Sequence, residues 1–462
     1  MSSTYISDSQ PTHALAEFAA ALTYYDLPSE IVATTKQMIL DCLGTALAAT
    51  TLGDGCRESM AVMQDLGGKP ESTILGLGAK VAAPNAAFAN GALVHALNYD
   101  PIGRGVGHLG VVCLAAPLAM AEAVGGISGR QFIAASVAAC EVTARVTASI
   151  ARTGRELSEK HLPGQLLSYF GAAVGAGHVL GLSADKMRSA LGISLMQAAG
   201  SRQVVITGDP PAKAIYGAFP NQAGVLAALL SEKGLGADCE VLGEPAGLLS
   251  MVYDGACDLD ALIGGLGTEF LMSKVQFKPW PTSGNLHPFI EAAAEIKRIG
   301  LDPADIAEVG IVARDRLRDW CEPLDKRRRP ENAAAAANSI PFCVAKTLVH
   351  GDISLADFAP EGLNDAAAIA VAERTTYRLE KNLEGGIVTV KTPDGQCLEA
   401  RGAAPGGRPV SQGQITKKFR DCCRHSVAPL PPDRIESLIA MIGELDALDD
   451  VRNLATLASG GN

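Results

Sequence analysis

Two short segments concentrate the residue types that acid–base and anion-binding chemistry require. The first is His95-Ala-Leu-Asn98-Tyr-Asp100-Pro-Ile-Gly-Arg104-Gly-Val-Gly-His108-Leu-Gly110. A polar cluster follows one histidine, and a glycine-rich stretch returns another just ahead of an apolar run. Glycines there let backbone approach a ligand closely, and loops held between rigid elements are where catalytic groups are positioned. A histidine so placed exchanges protons near neutral pH. A core histidine that merely caps the next helix leaves the same trace in the sequence. The second segment is Gly208-Asp209-Pro-Pro-Ala-Lys213-Ala-Ile-Tyr216-Gly-Ala218. Lys213 stands among small and apolar residues, with Asp209 and Glu232 as its nearest charges along the chain. Such a lysine either snorkels to water or pairs with a ligand carboxylate, and desolvation also fits it for proton transfer. A third segment, Lys278-Pro-Trp-Pro-Thr-Ser-Gly-Asn-Leu-His287, falls where helical character gives way to mixed character, and interdomain clefts favour ligands.

The remaining composition narrows the chemistry. Net charge is −11, which argues against a nucleic-acid or anionic-membrane surface and means that an anionic substrate must be held by locally placed cations. No C-x-x-C spacing occurs and Cys422 and Cys423 are adjacent, so neither a zinc site nor an iron–sulfur cluster is expected. No H-E-x-x-H or Walker loop is found, and the glycines at 105, 107 and 110 do not follow a predicted strand as a Rossmann motif requires, so no metal and no nucleotide cofactor is expected. The first Lys or Arg is Lys36, and Glu17 interrupts the early apolar stretch, so neither a secretory nor an Arg-rich transit signal is expected and the chain reads as cytoplasmic. The longest uncharged run, from His161 to Ala184, contains Pro163, Gln165 and His178 and reads as buried helix rather than a membrane span.

The elements that must position these segments follow from length and periodicity. A chain of 462 residues exceeds what one core usually serves. With 48% hydrophobic residues but only 5% aromatic, close packing of small-residue helices is expected. Up to about residue 265 the pattern is helical. One helix is predicted from the Asp26–Glu30 start signal to Ala49, others from Val111 to Val124 and from Gly129 to Ser149. Beyond Phe277 alternation takes over at Val309, Ile311 and Ala313 and from Arg374 to Glu380. Ile387–Lys391 and Cys397–Arg401 flank Thr392-Pro-Asp-Gly395, a hairpin signal. Helices are expected over Pro288–Ile299 and Asn332–Val349 between those strands, and again over Gln412–Cys423 and Pro432–Ile442. The stretch from Gly402 to Pro409 reads as a linker, and Lys326 to Arg329 as a solvated loop.

Taken in order, Ile39-Leu-Asp-Cys-Leu-Gly44, Ala89-Asn-Gly-Ala-Leu-Val-His95, Ala121 to Gly129, Lys213 with Gly224-Val-Leu-Ala-Ala228, Lys278-Pro-Trp-Pro281, Asn338-Ser-Ile-Pro-Phe342 and Lys417-Lys-Phe-Arg-Asp-Cys422 resemble the MmgE/PrpD family of 2-methylcitrate dehydratases, cis-aconitate decarboxylases and iminodisuccinate epimerases. The resemblance implies a mainly α fold: a large all-helical domain built from residues 1–268 and 405–462, with a smaller α+β lid over 269–404. It also implies a homodimer and a cofactor-free, metal-free site between the domains that takes a small carboxylate. His108 would be the acid/base and Lys213 the carboxylate-binding or proton-shuttling group, with Tyr216 or Asp100 as a second proton-transfer group. Asn98, Arg104, His161, Lys278 and His287 would bind substrate.

The chain departs from the family pattern at several of these positions. Asn98-Tyr-Asp-Pro-Ile102 stands where relatives carry D-[FY]-D-D-x, Leu109 replaces a proline, His-Pro-Thr becomes His161-Leu-Pro163, and Tyr216 replaces a common histidine. Only Asp100 survives as an acid in the first of these. Elimination of water from a hydroxy acid is the favoured expectation, ahead of epimerisation or racemisation and then decarboxylation; a non-catalytic carboxylate-binding relative is the alternative from another class.

Overall fold

In the computed structural model the described residues are 10–237, 240–243, 245–403 and 409–459. Glu30 sits in the first turn of helix Ser29–Leu52, where it complements the helix dipole. Its spaced apolar residues Ile31, Met38, Ile39, Cys42, Leu43 and Leu47 are buried. Helix Gly129–Ala151 starts at a capping box, in which the Ser128 hydroxyl accepts from the Gln131 amide and Gln131 Oε1 accepts from Ser128 N–H at 3.0 Å. It is long and apolar enough to cross a membrane, yet its most apolar window is wholly buried inside the protein. Ser168–Val179 packs against it, and Ala218–Glu232 packs in turn against Ser168–Val179. Their approach needs small residues: a Cβ on Gly224 would lie 2.6 Å from the Ala172 backbone.

Among the described residues two large hydrophobic cores result, with a small satellite cluster at Ala173, Ile193 and Ala227. The larger gathers residues from both ends of the chain, from Leu15 and Leu43 through Phe170 to Phe419, Leu438 and Leu454. The smaller is built by Phe289, Val309, Ile311, Phe342 and Val388 around one four-stranded sheet. Its strands run in the order Thr375–Glu380, Glu308–Arg314, Gly386–Lys391, Cys397–Gly402. The first two pair in parallel and the others antiparallel, with Ile311 opposite both Tyr377 and Val388. Thr392 accepts from Gly395 at 3.0 Å and closes the expected hairpin. Helices His287–Lys297 and Ile340–His350 pack together beside this sheet.

Three local expectations are corrected. The helix predicted over Val111–Val124 is two helices, Leu109–Cys113 and Ala115–Val124. Pro117 has no amide to donate and its ring would crowd the carbonyl one turn earlier; the Asn221 side chain takes up the freed groups, accepting from Ala116 N–H at 3.0 Å and donating to Val111 O at 2.9 Å. The helix over Asn332–Val349 likewise splits into Ala333–Ala336 and Ile340–His350. Pro341 starts the second piece and the Ser339 hydroxyl caps the Phe342 amide at 3.1 Å. The basic run is not a solvated loop: Leu324–Arg328 is a helical turn, and Arg327 is 3% exposed and ion-paired with Asp209 at 2.9 Å. Of the expected linker, Gly402 ends a strand and positions 404–408 lie outside the described residues.

Candidate active site

Helix Ala83–His95 delivers His95 to the edge of the larger core. Three residues later Asn98 adopts a left-handed backbone, φ 51°, a conformation asparagine tolerates better than most residues. Lys278, 2% exposed, holds that turn by donating to the Asn98 carbonyl at 2.7 Å and to its Oδ1 at 2.9 Å. From below, Lys418 on helix Gln412–Cys423 donates to Tyr99 O at 2.6 Å while paired with Asp41 at 2.8 Å. The glycine loop then pairs antiparallel with the short strand Val275–Gln276, Ile102 opposite Gln276 and Gly103 opposite Val275. Gly103 N–H bonds Gly107 O at 2.8 Å, and His108 follows at the start of Leu109–Cys113. Its side chain makes no capping hydrogen bond, so helix capping does not account for it.

Instead His108 and His95 share one carboxylate. Asp100, fully buried, lies 2.9 Å from His95 Nδ1 and 3.8 Å from His108 Nδ1. Burial alone would raise its pKa, but His95, His108 and Lys278 outweigh burial and hold it well below the usual carboxylate range. Burial lowers His95 to about 4 against the pull of Asp100. At neutral pH His95 is therefore neutral and carries its proton on Nδ1, the atom that donates to Asp100. Burial also lowers His108, while Asp100 raises it and Lys278 and Lys213 lower it further. With Nδ1 turned to Asp100, Nε2 is the ring nitrogen left for the cavity.

The second segment meets the first from the opposite side. A Cβ on Gly91 would lie 2.5 Å from Gly217 O, and this close approach sets the His95 helix against the Lys213–Tyr216 stretch. Tyr216 packs against His95 with ring centroids 3.9 Å apart and the planes tilted by 42°, and burial then Asp100 raise its pKa well above 10, so it stays protonated. Lys213, 8% exposed, faces Asp209 at 3.6 Å, whose other oxygen is taken by Arg327.

A cavity of about 970 Å³ opens over these groups between the two cores. His108, Lys213, Tyr216, Asn98, Arg104, His161, Lys278 and His287 all line it. Asp100 does not; it stands behind the two histidines. His161 is fixed by backbone pairing with Ser201. His287 packs edge-on to Trp280 at 5.3 Å, and burial, then Lys278 and Lys418, lower its pKa to about 3. Burial, partly offset by Asp100, brings Lys278 down to about 8.

His95, Asp100 and His108 also have ligand atoms within 4.8 Å of one another, a donor set that suits zinc or iron. The fit is poor. His95 Nδ1 and the Asp100 oxygen it bonds are taken up by each other, and the Lys213 charge that lowers both histidines, joined by Lys278 at His108, would repel a divalent cation.

Residues 13–258 match the MmgE/PrpD N-terminal domain and residues 280–443 the MmgE/PrpD C-terminal domain. The chain belongs to the MmgE/PrpD family. Among curated members, the cis-aconitate decarboxylase of Homo sapiens is 24% identical over 97% of this chain and 94% of its own length. That of Aspergillus terreus (strain NIH 2624 / FGSC A1156) is 24% identical over 96% and 95%. The cis-aconitate decarboxylase-like protein oryM of Aspergillus oryzae is 24% identical over 98% and 99%.

Within this MmgE/PrpD chain, sequence reasoning left four site groups out. His95 marked the start of a segment and had no role. Arg327 was hidden in a run of four basic residues, and nothing local tied it to Asp209. Asn338 lines the cavity and faces the Asn98 amide at 3.5 Å; the helix break before Pro341 was its one signal. Gly164 lies under the site, where a Cβ would meet Tyr216 Oη at 2.5 Å and His108 Cδ2 at 2.9 Å.

Proposed function

We propose that the protein is a lyase acting on a small di- or tricarboxylate, and that it needs no metal or organic cofactor. The observation that carries this reading is one cavity in which two histidines sharing the buried Asp100 face the ammonium groups of Lys213 and Lys278. Fixed cations stabilise charge that develops on carboxylate oxygens, usually the largest catalytic term in such chemistry, and a positioned histidine moves the proton. Lys278 spends two of its three N–H groups on Asn98 and keeps one for a ligand.

Between the lyase reactions we favour loss of CO₂. The C–C bond to the departing carboxylate breaks, and its electron pair stays on carbon and spreads onto the neighbouring carboxylate held by Lys213. His108, as the imidazolium stabilised by Asp100, then gives its Nε2 proton to that carbon. Elimination of water, first among the sequence expectations, needs an acid for the departing hydroxide. Asn98 is not an acid, and its amide is engaged by Lys278 and Asn338. The relatives named as cis-aconitate decarboxylases add support. The reading also includes a homodimer, as the resemblance implies, for which sedimentation analysis is the test.

Chelator-treated protein incubated with a panel of hydroxy- and unsaturated polycarboxylates and followed by NMR tests the reaction. Released CO₂ supports the reading, a new vinylic signal without CO₂ restores water elimination, and inverted stereochemistry points to epimerisation. Binding without turnover of any panel member contradicts catalysis.

A further inference from the structure

Three arginines converge on the cavity mouth from both parts of the chain. Arg104 is exposed at the tip of the glycine loop; Arg314 ends strand Glu308–Arg314; Arg316 lies in the following turn, Asp315–Trp320. All three line the cavity and also the shallow recess beside it. Nearby arginines are paired, Arg202 with Asp319 and Arg318 with Glu322. Among the described residues no carboxylate stands at ion-pair distance from Arg104, Arg314 or Arg316. Glu156 on the cavity wall accepts from Ser158 N and Oγ at 3.1 and 2.6 Å, and Glu384 lines the recess without pairing to them. Burial and then the Arg314 charge lower the Arg316 pKa, with Glu156 opposing and Arg104 adding to the fall. Like charges brought together from two cores repel, and an anion between them turns that repulsion into attraction.

We propose that Arg104, Arg314 and Arg316 form an anion subsite at the mouth, which holds the distal carboxylate or phosphate of a ligand whose reacting end lies at His108 and Lys213. This rests on reading the inner site as carboxylate-binding. The cavity, at about 970 Å³, matches the upper end of the ~300–1,000 Å³ range of pockets that enclose drug-sized ligands, so it accommodates a longer anion than the inner groups alone require. Guanidinium forks suit a carboxylate or phosphate equally.

Calorimetric titration tests this with three probes: glutarate, a glutarate extended by a propyl chain ending in a third carboxylate, and inorganic phosphate. The longer probe is expected to bind wild-type protein about tenfold more tightly than glutarate, the scale of one charge-assisted hydrogen bond. Arg314→Gln combined with Arg316→Gln should erase that difference and leave glutarate affinity unchanged, while the Arg→Lys pair restores part of it. Equal binding of both carboxylates to wild type, or equal weakening of both in the variant, overturns the subsite and leaves the inner reading intact. Arginine-dependent phosphate binding without preference for the longer probe also overturns it, in favour of a free-anion site. If glutarate fails to bind while the longer probe binds in an arginine-dependent way, the subsite stands and the inner carboxylate reading falls. If no probe binds, both fall.

Discussion

Replacing Asp100 with asparagine keeps the shape of a wholly buried side chain and removes the charge that faces both histidines. His95 now donates to that carboxylate at 2.9 Å, and His108 faces it at 3.8 Å. An amide can turn its NH₂ toward His95, which reverses the His95 tautomer, and it no longer stabilises an imidazolium at His108. In the serine-protease triad the same change costs about 10⁴ in turnover. Here the contact to His108 is longer than a hydrogen bond, so the expected loss in kcat/KM is about 10²–10³, within the usual range for a positioned acid or base, or roughly 3–4 kcal/mol. The direction of the pH shift follows from the same charges. Burial lowers His108 and Asp100 raises it, so losing the carboxylate lowers it further. If His108 donates a proton, activity is present below its pKa and lost as pH rises, and the alkaline limb of the profile moves to lower pH. If His108 is a base, as in water elimination, the acid limb moves instead and the profile widens. The assay is kcat/KM for cis-aconitate across pH for both proteins, with thermal melts to confirm that the variant is folded. Wild-type kcat/KM with an unshifted profile would refute the reasoning.

Other perturbations probe separate parts of the site. Arg327→Leu leaves the buried Asp209 with only Lys213 at 3.6 Å; breaking a buried pair costs about 3–5 kcal/mol, so the first unfolding transition in urea should fall correspondingly. Gly164→Ala should fold but lose at least about tenfold in kcat/KM, because the added methyl displaces Tyr216 Oη and His108 and a misplacement of about 1 Å is costly in rate. Asn98→Asp gives Lys278 a carboxylate partner and should raise its pKa from about 8 toward the ordinary lysine value. Slower cyanate modification of Lys278 at mildly alkaline pH, read by mass spectrometry, checks this. Activity should survive exhaustive chelation; restoration of lost activity by a divalent metal would refute the metal-free reading.

Much of this was legible in the sequence because period and punctuation act locally. Helix Ser29–Leu52, the Thr392–Gly395 hairpin and the strand alternation at Val309, Ile311 and Ala313 each follow from neighbouring residues alone. The helix breaks at Leu114 and Asn338 were missed because Pro117 and Pro341 were passed over inside strongly apolar runs. At the site, His108 and Lys213 stood out by their unusual local surroundings. Asp100 could be named as the surviving acid, but not its place behind two histidines, which depends on the Asn98 turn and on Lys278, 180 positions away. Arg327 lies 118 positions from Asp209, and the one signal it gave, a basic run, is shared with ordinary solvated loops.

The central claim, that His108 hands a proton to a carbanion stabilised by Lys213, is tested most directly by turnover of cis-aconitate in D₂O without metal. The account predicts CO₂ release with one solvent deuterium at the protonated carbon in wild type, and loss of product in both His108→Ala and Lys213→Ala. Full turnover by either variant, with the deuterium still incorporated, would contradict it.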